Sequence, residues 1–357
     1  MAYCPAVGAV CVERGGMMWL AGFLGLMTIG SLIFIDDEAG GDTAEPGDED
    51  APPDDIGGTP GVVLPGSSGV AAGDGSTGPG GAQGGGHGLI LPGGPLGEAL
   101  GGTDGDDQIN GYDGSDLIAG QDGEDDLFGG AGEDTLFGGR DGDTLHGEAG
   151  EDLLRGGGGN DLLFGHSEGD NLLGGEGEDT LHGGLGGDRL EGGGGRDALH
   201  GNHGADSLAG GAGQDTLFGG WGDDFVSGAD DGATGDFLNG GGGADTILAG
   251  AGDTVTAGEG TDSIVLGNWI ARGESSDLRD FDPAEDRLLV LWDIARNPDP
   301  EIEIVEHATD PGLRLVMVEG IPMATLPAEA APTVHDILLA DYADAAAFVP
   351  GGSPDAQ

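Results

Sequence analysis

The sequence predicts an all-β fold: a right-handed parallel β-roll (β-solenoid) of Gly-Gly-x-Gly-x-Asp nonapeptide repeats, followed by a small C-terminal β domain. Three observations predict it. A nine-residue period begins at Gly102. Glycine is the commonest residue, with 83 copies. Hydrophobic residues make up 36% of the 357 positions, which leaves little material for a conventional core.

The first 35 residues contain an apolar run, residues 17–35, that is just long enough to cross a bilayer. Arg14 precedes the run and Asp36 follows it, a charge order that favours an uncleaved membrane anchor with the remainder of the chain outside the cytoplasm. A cleaved signal peptide is the competing interpretation. A translation start at Met17 or Met18 would remove Arg14 and weaken the argument for orientation.

Residues 36–100 are first acidic and then rich in glycine, proline and serine, with no hydrophobic period. Such a segment cannot offset its ordering entropy by burying apolar surface. We therefore expect a disordered linker between the N-terminal segment and the repeats.

The repeats occupy residues 101–265, and their best copies begin at Gly129, Gly174 and Gly210. The aspartate that ends each turn recurs every nine residues, then continues through a three-residue insertion and a one-residue deletion. These aspartates are Asp107, Asp116, Asp125, Asp134, Asp143, Asp152, Asp161, Asp170, Asp179, Asp188, Asp197, Asp206, Asp215, Asp224, Asp236, Asp245, Asp253 and Asp262.

The spacing predicts a six-residue turn followed by a three-residue strand whose middle leucine points inward. Two nonapeptides then make one coil, with turns on two opposite sides and two parallel sheets around a narrow apolar ladder. Stacked turns on one side present backbone carbonyls and carboxylates to a common gap. Hard oxygen ligands of this kind suit Ca²⁺ better than Mg²⁺, and the gap offers no nitrogen or sulfur for zinc.

We accordingly predict many calcium ions, held by the aspartates from Asp107 to Asp245 and by the turn glycines. The glycines of the three best copies are Gly129, Gly130, Gly132, Gly174, Gly175, Gly177, Gly210, Gly211 and Gly213. One inward leucine per nine residues contributes too little to order the chain without metal. Calcium is therefore expected to fold the array cooperatively.

This pattern resembles the RTX (repeats-in-toxin) nonapeptide proteins, which carry the haemolysin-type calcium-binding repeat, over a little under half of the chain. The resemblance implies a parallel β-roll with calcium between its turns, type I secretion in an unfolded state, and folding outside the cell. It also implies an unprocessed C-terminal export signal. The apolar run 17–35 departs from the family, in which an N-terminal membrane segment is unusual.

The turns are not expected to bind equally, because a side chain at a glycine position with positive φ causes strain. Seven turn positions that normally hold glycine carry another residue: Tyr112, Gln121, Asp141, Glu148, His166, Glu168 and Asn202. The turn from Gly165 to Asp170 contains two of them, so we expect it to be the weakest site in the regular part of the array.

The residue after each inward leucine should point outward, and on one sheet these residues are mostly rings. They are Asn110, Phe128, His146, Phe164, His182, His200 and Phe218. Ring stacking that stiffens the solenoid is the plainer interpretation. The more specific interpretation is a face that associates with another copy of the protein or responds to pH. A transition-metal site ranks lower, because the sequence shows no fixed partner for any of these histidines.

Residues 266–348 are richer in apolar residues and alternate in polarity at Glu301–Val305 and Leu313–Val318, which predicts strands. We expect them to form a small β domain that caps the stack and carries export information, followed by a tail at 349–357. Asp277, Asp280 and Asp282 are either a further ion site or solvated loop acids.

The formal net charge of −57, from 67 acidic and ten basic residues, excludes nucleic-acid binding. Cys4 and Cys11 are the two cysteines, so the body of the chain has no disulfide framework. No catalytic motif is present, and we expect a non-enzyme: a secreted, extracellular calcium-dependent structural or interaction module. The alternatives are a membrane-tethered adhesin, a periplasmic calcium buffer or, less favoured, a secreted enzyme acting through its C-terminal region. The sequence identifies no specific protein partner.

Overall fold

The computed structural model describes residues 88–229, 235–267, 269–270 and 275–341. The apolar run 17–35 and the tail 349–357 lie outside the described residues. Within the described part of the chain, no helix has the length and apolar character needed to cross a bilayer. The membrane anchor therefore stays a prediction.

Within the described residues, the repeat region and the coil that precedes it contain twenty strands. They are β1 Ile90–Pro92, β2 Ala99–Gly101, β3 Gln108–Asp113, β4 Leu117–Asp122, β5 Asp126–Ala131, β6 Thr135–Arg140, β7 Thr144–Ala149, β8 Leu153–Gly158, β9 Leu162–Ser167, β10 Asn171–Glu176, β11 Thr180–Leu185, β12 Arg189–Gly195, β13 Ala198–His203, β14 Ser207–Gly213, β15 Thr216–Trp221, β16 Phe225–Ser227, β17 Phe237–Gly243, β18 Thr246–Leu248, β19 Thr254–Gly260 and β20 Ser263–Gly267.

Six further strands follow in the C-terminal region. They are β21 Ser276–Leu278, β22 Arg287–Trp292, β23 Ile302–Glu306, β24 Leu313–Val318, β25 Ile321–Pro327 and β26 Ile337–Asp341, with short 3₁₀ turns at Ala328–Ala330 and Val334–Asp336.

The strands form two sheets that confirm the predicted parallel β-solenoid. Odd-numbered strands from β1 to β21 stack in one sheet, and even-numbered strands from β2 to β22 stack in the other. Each strand in the regular part pairs in parallel with the strand one coil later, as in Leu163↔Leu181 and Leu172↔Leu190. An eighteen-residue sequence shift thus becomes a single inter-strand step in space.

The strands are longer than predicted. Most have six residues instead of three, because pairing continues past the inward leucine into the first three residues of the next turn. In β10, for example, Gly175 pairs with both Gly157 and Gly193. Identical turns stacked in register align their backbone N–H and C=O groups as well as their side chains, so the glycines join the ladder.

The predicted linker ends earlier than residue 100. Residues 90–92 and 99–101 form β1 and β2, which pair in parallel with β3 and β4. The expectation of disorder up to residue 100 was therefore wrong for these residues. Leu91 and Leu100 lie eighteen positions before Ile109 and Ile118 and pack on the same core, so the apolar ladder begins one coil before the glycine-aspartate motif.

The main core of the described residues is the apolar ladder that the sequence predicted, and Leu248, Val265, Leu289 and Leu291 form a second, smaller apolar cluster. Leucine, isoleucine or valine side chains at each repeat are fully buried between the sheets, for example Ile109, Leu163 and Leu217. The ladder continues without a break into Leu288, Val290 and the other buried residues of the C-terminal region.

The C-terminal region is built onto the same sheets. β21 pairs with β19 and β22 pairs with β20, both in parallel, and β26 then extends the second sheet. β25, β24 and β23 continue the first sheet, and the last two pairings are antiparallel. The strands predicted near 301–305 and 313–318 are therefore present, as β23 and β24.

Candidate metal centre

The turns place the repeat aspartates in two rows, one along each side of the solenoid. All are buried, with relative exposures of 3% or less. One row holds Asp107, Asp125, Asp143, Asp161, Asp179, Asp197, Asp215, Asp236 and Asp253. The other row holds Asp116, Asp134, Asp152, Asp170, Asp188, Asp206, Asp224, Asp245 and Asp262.

Within each row, one carboxylate oxygen links neighbouring coils. The backbone N–H of Asp125 donates to Asp143 Oδ1 at 2.9 Å, and that of Asp161 donates to Asp179 Oδ1 at 2.8 Å. The contact survives the insertion between Asp215 and Asp236, where the separation is 21 residues and the distance 2.9 Å. Each Oδ1 atom thus fixes its carboxylate and aims the second oxygen in a constant direction.

The second carboxylate oxygen is the unusual feature of the rows. Among the described residues, fourteen repeat aspartates bury an Oδ2 atom that accepts no hydrogen bond. They are Asp116, Asp125, Asp134, Asp143, Asp152, Asp161, Asp170, Asp179, Asp188, Asp197, Asp206, Asp224, Asp245 and Asp262. Buried carboxylate oxygens are normally satisfied, and an orphaned one is costly. A buried acceptor oxygen repeated in this way has the character of a cation ligand.

The first glycine of each turn leaves the space in front of that oxygen open. A Cβ atom built on Gly129 would lie 2.5 Å from Asp134 Oδ2 and 2.9 Å from the carbonyl oxygen of Gly147. At Gly192 the corresponding distances to Asp197 Oδ2 and the Gly210 carbonyl oxygen are both 2.5 Å. A side chain here would fill the space between a carboxylate and a backbone carbonyl of the next coil.

Burial makes the charged aspartate rows electrostatically unfavourable without a counter-charge. Desolvation raises the pKa of Asp143 to about 8, opposed by the hydrogen bond from Asp125 N–H and reinforced by the neighbouring carboxylates of Asp161, Asp125 and Asp141. The pKa of Asp170 is raised to about 8 and that of Asp197 to about 7, again mainly by desolvation. A divalent cation between the turns would favour the charged carboxylates.

These residues fit calcium. The donors are carboxylate and backbone carbonyl oxygens, which are the hard ligands that Ca²⁺ takes in flexible sets. Among the described residues, no three His, Cys, Asp or Glu side chains gather as a preformed metal cluster. Carbonyl oxygens from the turns would therefore supply most of the ligands, with the aspartates supplying the charge. When bound, calcium would supply the positive charge that offsets the buried carboxylates.

The strained turn positions are those that the sequence singled out. Tyr112, Gln121, Asp141, Glu148, His166, Glu168 and Asn202 all have positive φ, between 67° and 95°. Glycines at equivalent positions reach larger values, such as 143° at Gly177. His166 and Glu168 adopt φ of 81° and 73° within one turn. The ranking of this turn as the weakest site stays a prediction.

Asp107, at the start of its row, has chain donors to both carboxylate oxygens, as Asp253 has at the end of the row. The Oδ2 atom of Asp107 accepts a hydrogen bond from the Thr103 N–H at 2.5 Å, and its Oδ1 atom accepts one from the Leu89 N–H. Both oxygens therefore already have donors from the chain itself. Asp107 therefore has less need of a cation than the fourteen repeat aspartates whose Oδ2 atoms accept no hydrogen bond from the described residues.

Sequence reasoning missed one aspartate that extends the second row. Asp286 Oδ1 accepts the Asp262 N–H at 3.2 Å, and Arg287 donates its N–H to the Asp262 carbonyl at 2.8 Å, as in the regular coils. The segment Asp286-Arg-Leu288 could have indicated this aspartate, because it repeats the sequence Asp188-Arg-Leu190 of a regular turn. It lacks the glycines that precede the aspartate in that turn.

Asp277, Asp280 and Asp282 have partners from the chain. Asp280 accepts the N–H groups of Ala257 and Gly258 at 2.7 and 3.0 Å. Asp282 accepts the Ala284 N–H, and Asp277 pairs with Arg279 at 3.2 Å. These contacts favour loop carboxylates over a further ion site.

The predicted outward stripe forms a continuous stack of rings. Phe128, His146, Phe164, His182, His200 and Phe218 follow one another with ring centres 4.8 to 5.2 Å apart and planes within 11° of parallel. Desolvation lowers the pKa of His146, His182 and His200, which favours neutral imidazoles in the stack. The rings therefore stack as predicted, while stiffening of the solenoid, self-association and pH sensitivity stay predictions.

Comparison with known protein families agrees with this geometry. The family of the RTX calcium-binding nonapeptide repeat (4 copies) matches residues 101–136, 128–163, 137–172, 164–199, 200–234 and 230–264. The match covers the aspartate rows from Asp107 to Asp262. No curated protein matches the chain at a significant level.

Proposed function

We propose, on the premise that residues 101–264 are an array of RTX calcium-binding nonapeptide repeats, that calcium binding folds this β-roll and that the folded roll acts outside the cell. Its role there is that of a structural or interaction module. The repeats themselves imply calcium binding in a β-roll. We propose in addition that calcium binding drives folding and that the folded roll is extracellular.

The observation that carries the proposal is the pair of aspartate rows. Each regular coil places one carboxylate on each side, buried and separated from the next by one strand spacing of about 4.8 Å. Like charges at this distance repel, and burial strengthens the repulsion. This repulsion opposes folding, so we expect the chain to remain unfolded until cations are available.

An extracellular location is consistent with the composition. The body of the chain lacks cysteine, so a secreted fold would depend on bound cations instead of disulfides for its stability. Extracellular calcium modules bind with dissociation constants of roughly 10⁻⁴ to 10⁻³ M. A roll tuned to that range would stay unfolded inside the cell and fold after export.

The membrane-tethered alternative depends on the apolar run 17–35. Cell fractionation separates the two: a tethered protein remains in the washed membrane pellet, and a secreted one is found in the culture medium. Either location is compatible with calcium-driven folding, so this experiment tests the site of action alone.

A calcium titration of the full-length chain followed by far-UV circular dichroism tests the folding step, with Mg²⁺ as the control cation. We expect a cooperative change from disorder to β structure with Ca²⁺ and no such change with Mg²⁺ at the same concentrations. A spectrum already rich in β structure in the presence of a chelator would overturn the proposal. It would mean that the apolar ladder and C-terminal strands suffice.

A further inference from the structure

Histidines are concentrated on one face of the roll. Of the eight in the chain, five lie between β7 and β13: His146, His166, His182, His200 and His203. Three of these belong to the ring stack. His166 does not, because it occupies the second position of the turn that follows Phe164.

His166 nevertheless contacts the ring of His146, which belongs to the stack. Its Nε2 atom lies 2.9 Å from His146 Nδ1, with the ring centres 5.2 Å apart. The two imidazoles therefore approach nitrogen to nitrogen. None of the other histidines in the ring stack has such a contact within the described residues.

The His146 ring is held in place by its neighbours. Phe128 lies on one face and Phe164 on the other, each with a ring centre 4.8 Å away and a nearly parallel plane. The direction of its Nδ1 atom is thus fixed by packing. His166 is exposed and lies on the turn, so its ring can adjust. Packing therefore positions one of the two nitrogen donors in advance, which favours a metal site.

We propose that His146 Nδ1 and His166 Nε2 form a surface site for a divalent transition-metal cation such as Cu²⁺, Ni²⁺ or Zn²⁺, separate from the calcium turns. Imidazole nitrogen suits these cations, whereas calcium requires oxygen. The large negative charge of the chain raises the local concentration of any divalent cation.

The geometry requires a small adjustment. For tetrahedral Zn²⁺, two nitrogens at about 2.0–2.1 Å lie about 3.3–3.4 Å apart, so the observed contact would open by roughly 0.5 Å, whereas adjacent positions of tetragonal Cu²⁺ require almost no opening. A surface pocket of about 290 Å³ lined by Phe164, His166 and His182 leaves room for the His166 ring to move.

Glu148 is the nearest candidate for a third ligand. It follows His146 by two residues on β7 and pairs in register with His166 on β9. Its carboxylate does not converge with the two imidazoles in the described structure. Rotation of this exposed side chain, or water, would complete the coordination.

Copper binding to the full-length chain, kept folded in excess calcium, tests the site. The probe is Cu²⁺, followed by the nitrogen hyperfine structure of its electron paramagnetic resonance spectrum and by a binding isotherm. We expect one tight ion with two nitrogen ligands. His146→Phe and His166→Gln should each raise the dissociation constant at least ~10-fold.

Both variants have precedents in the chain. Phe128 and Phe164 occupy the position of His146 in neighbouring coils, and Gln121 occupies the turn position of His166 with φ of 95°. His200→Phe is the matched control, since it also replaces a stacked histidine but leaves the pair intact. Circular dichroism checks that each variant retains the calcium-induced fold.

Three results would overturn the proposal: equal copper affinity in the wild type and in both pair variants, an equal loss in His200→Phe, or displacement of copper by rising calcium. The last would place the copper in the calcium turns. Failure of this site leaves calcium-driven folding untouched, because that is measured without copper.

Discussion

Filling the space in front of one aspartate should remove one calcium ion. Gly156 and Gly158 lie in the same all-glycine turn, which ends at Asp161. A Cβ atom on Gly156 would collide with the Asp161 carboxylate, whose Cγ would be 2.6 Å away. A Cβ atom on Gly158 would meet nothing within 4 Å. Gly156→Ala and Gly158→Ala therefore form a matched pair.

The expected difference follows from mass action. An ion held at 100 times its dissociation constant stabilises the folded state by about 2.7 kcal/mol, so Gly156→Ala should lose about that amount. For a domain of this size the loss corresponds to a fall in melting temperature of roughly 5–11 °C. Gly158→Ala should instead gain about 0.4–1 kcal/mol, because alanine restricts the unfolded chain more than glycine does.

Thermal unfolding at fixed calcium and calorimetric ion counting together measure both effects. Gly156→Ala should bind one ion fewer than the wild type, and Gly158→Ala the same number. Equal stoichiometry and equal melting temperature for the two variants would refute the assignment of the space beside the first glycine to calcium. A loss of stability without loss of an ion would indicate a purely steric effect.

Three further predictions concern the rows, the core and the turns. In the absence of calcium, the folded form retains protons that the unfolded chain releases above the ordinary aspartate pKa of 3.8, since the folded pKa of Asp143 is raised to about 8. Residual β structure measured by circular dichroism in chelator should therefore decrease as the pH rises from about 4 to about 8, and an increase would contradict it. Leu163→Ala should cost about 2–5 kcal/mol in calcium-bound denaturant unfolding, because this side chain is fully buried in the ladder; a cost below about 1 kcal/mol would show that the ladder contributes little. Glu168→Gly removes the strain of a φ of 73° and should raise the free energy of unfolding by about 1 kcal/mol. In a calcium titration, the variant should therefore fold at a lower midpoint calcium concentration than the wild type. An unchanged midpoint would show that this turn does not limit assembly of the roll.

The nine-residue period was enough to predict much of the fold. Because side chains alternate along a strand and the backbone reverses at each glycine turn, a strict repeat leaves few arrangements other than a stacked coil. The ladder from Ile109 to Leu217, the rings from Phe128 to Phe218 and the positive φ of the substituted turn positions were all predicted from register alone. Each of these features repeats the same local geometry.

The predictions from sequence were wrong or incomplete at the two ends of the repeat array. The first coil contains Leu91 and Leu100 without the glycine-aspartate motif, so it was interpreted as linker. Asp286 continues a row without the preceding glycines and was missed. In both places the neighbouring coil supplies a template of unpaired backbone groups, and pairing with it orders a sequence that has lost the local signal.

The sequence by itself determined the coil length, the identity of the inward and outward residues, and the aspartate that ends each turn, since all three depend on position within the nonapeptide. The tertiary structure decided which atoms remain unsatisfied. Stacking uses one oxygen of each repeat carboxylate to bind the preceding coil, and in most turns it leaves the other facing an open space. It also brought His166 against His146, twenty residues apart, because contacts between coils depend on side-chain direction at a turn, which the repeat pattern does not specify.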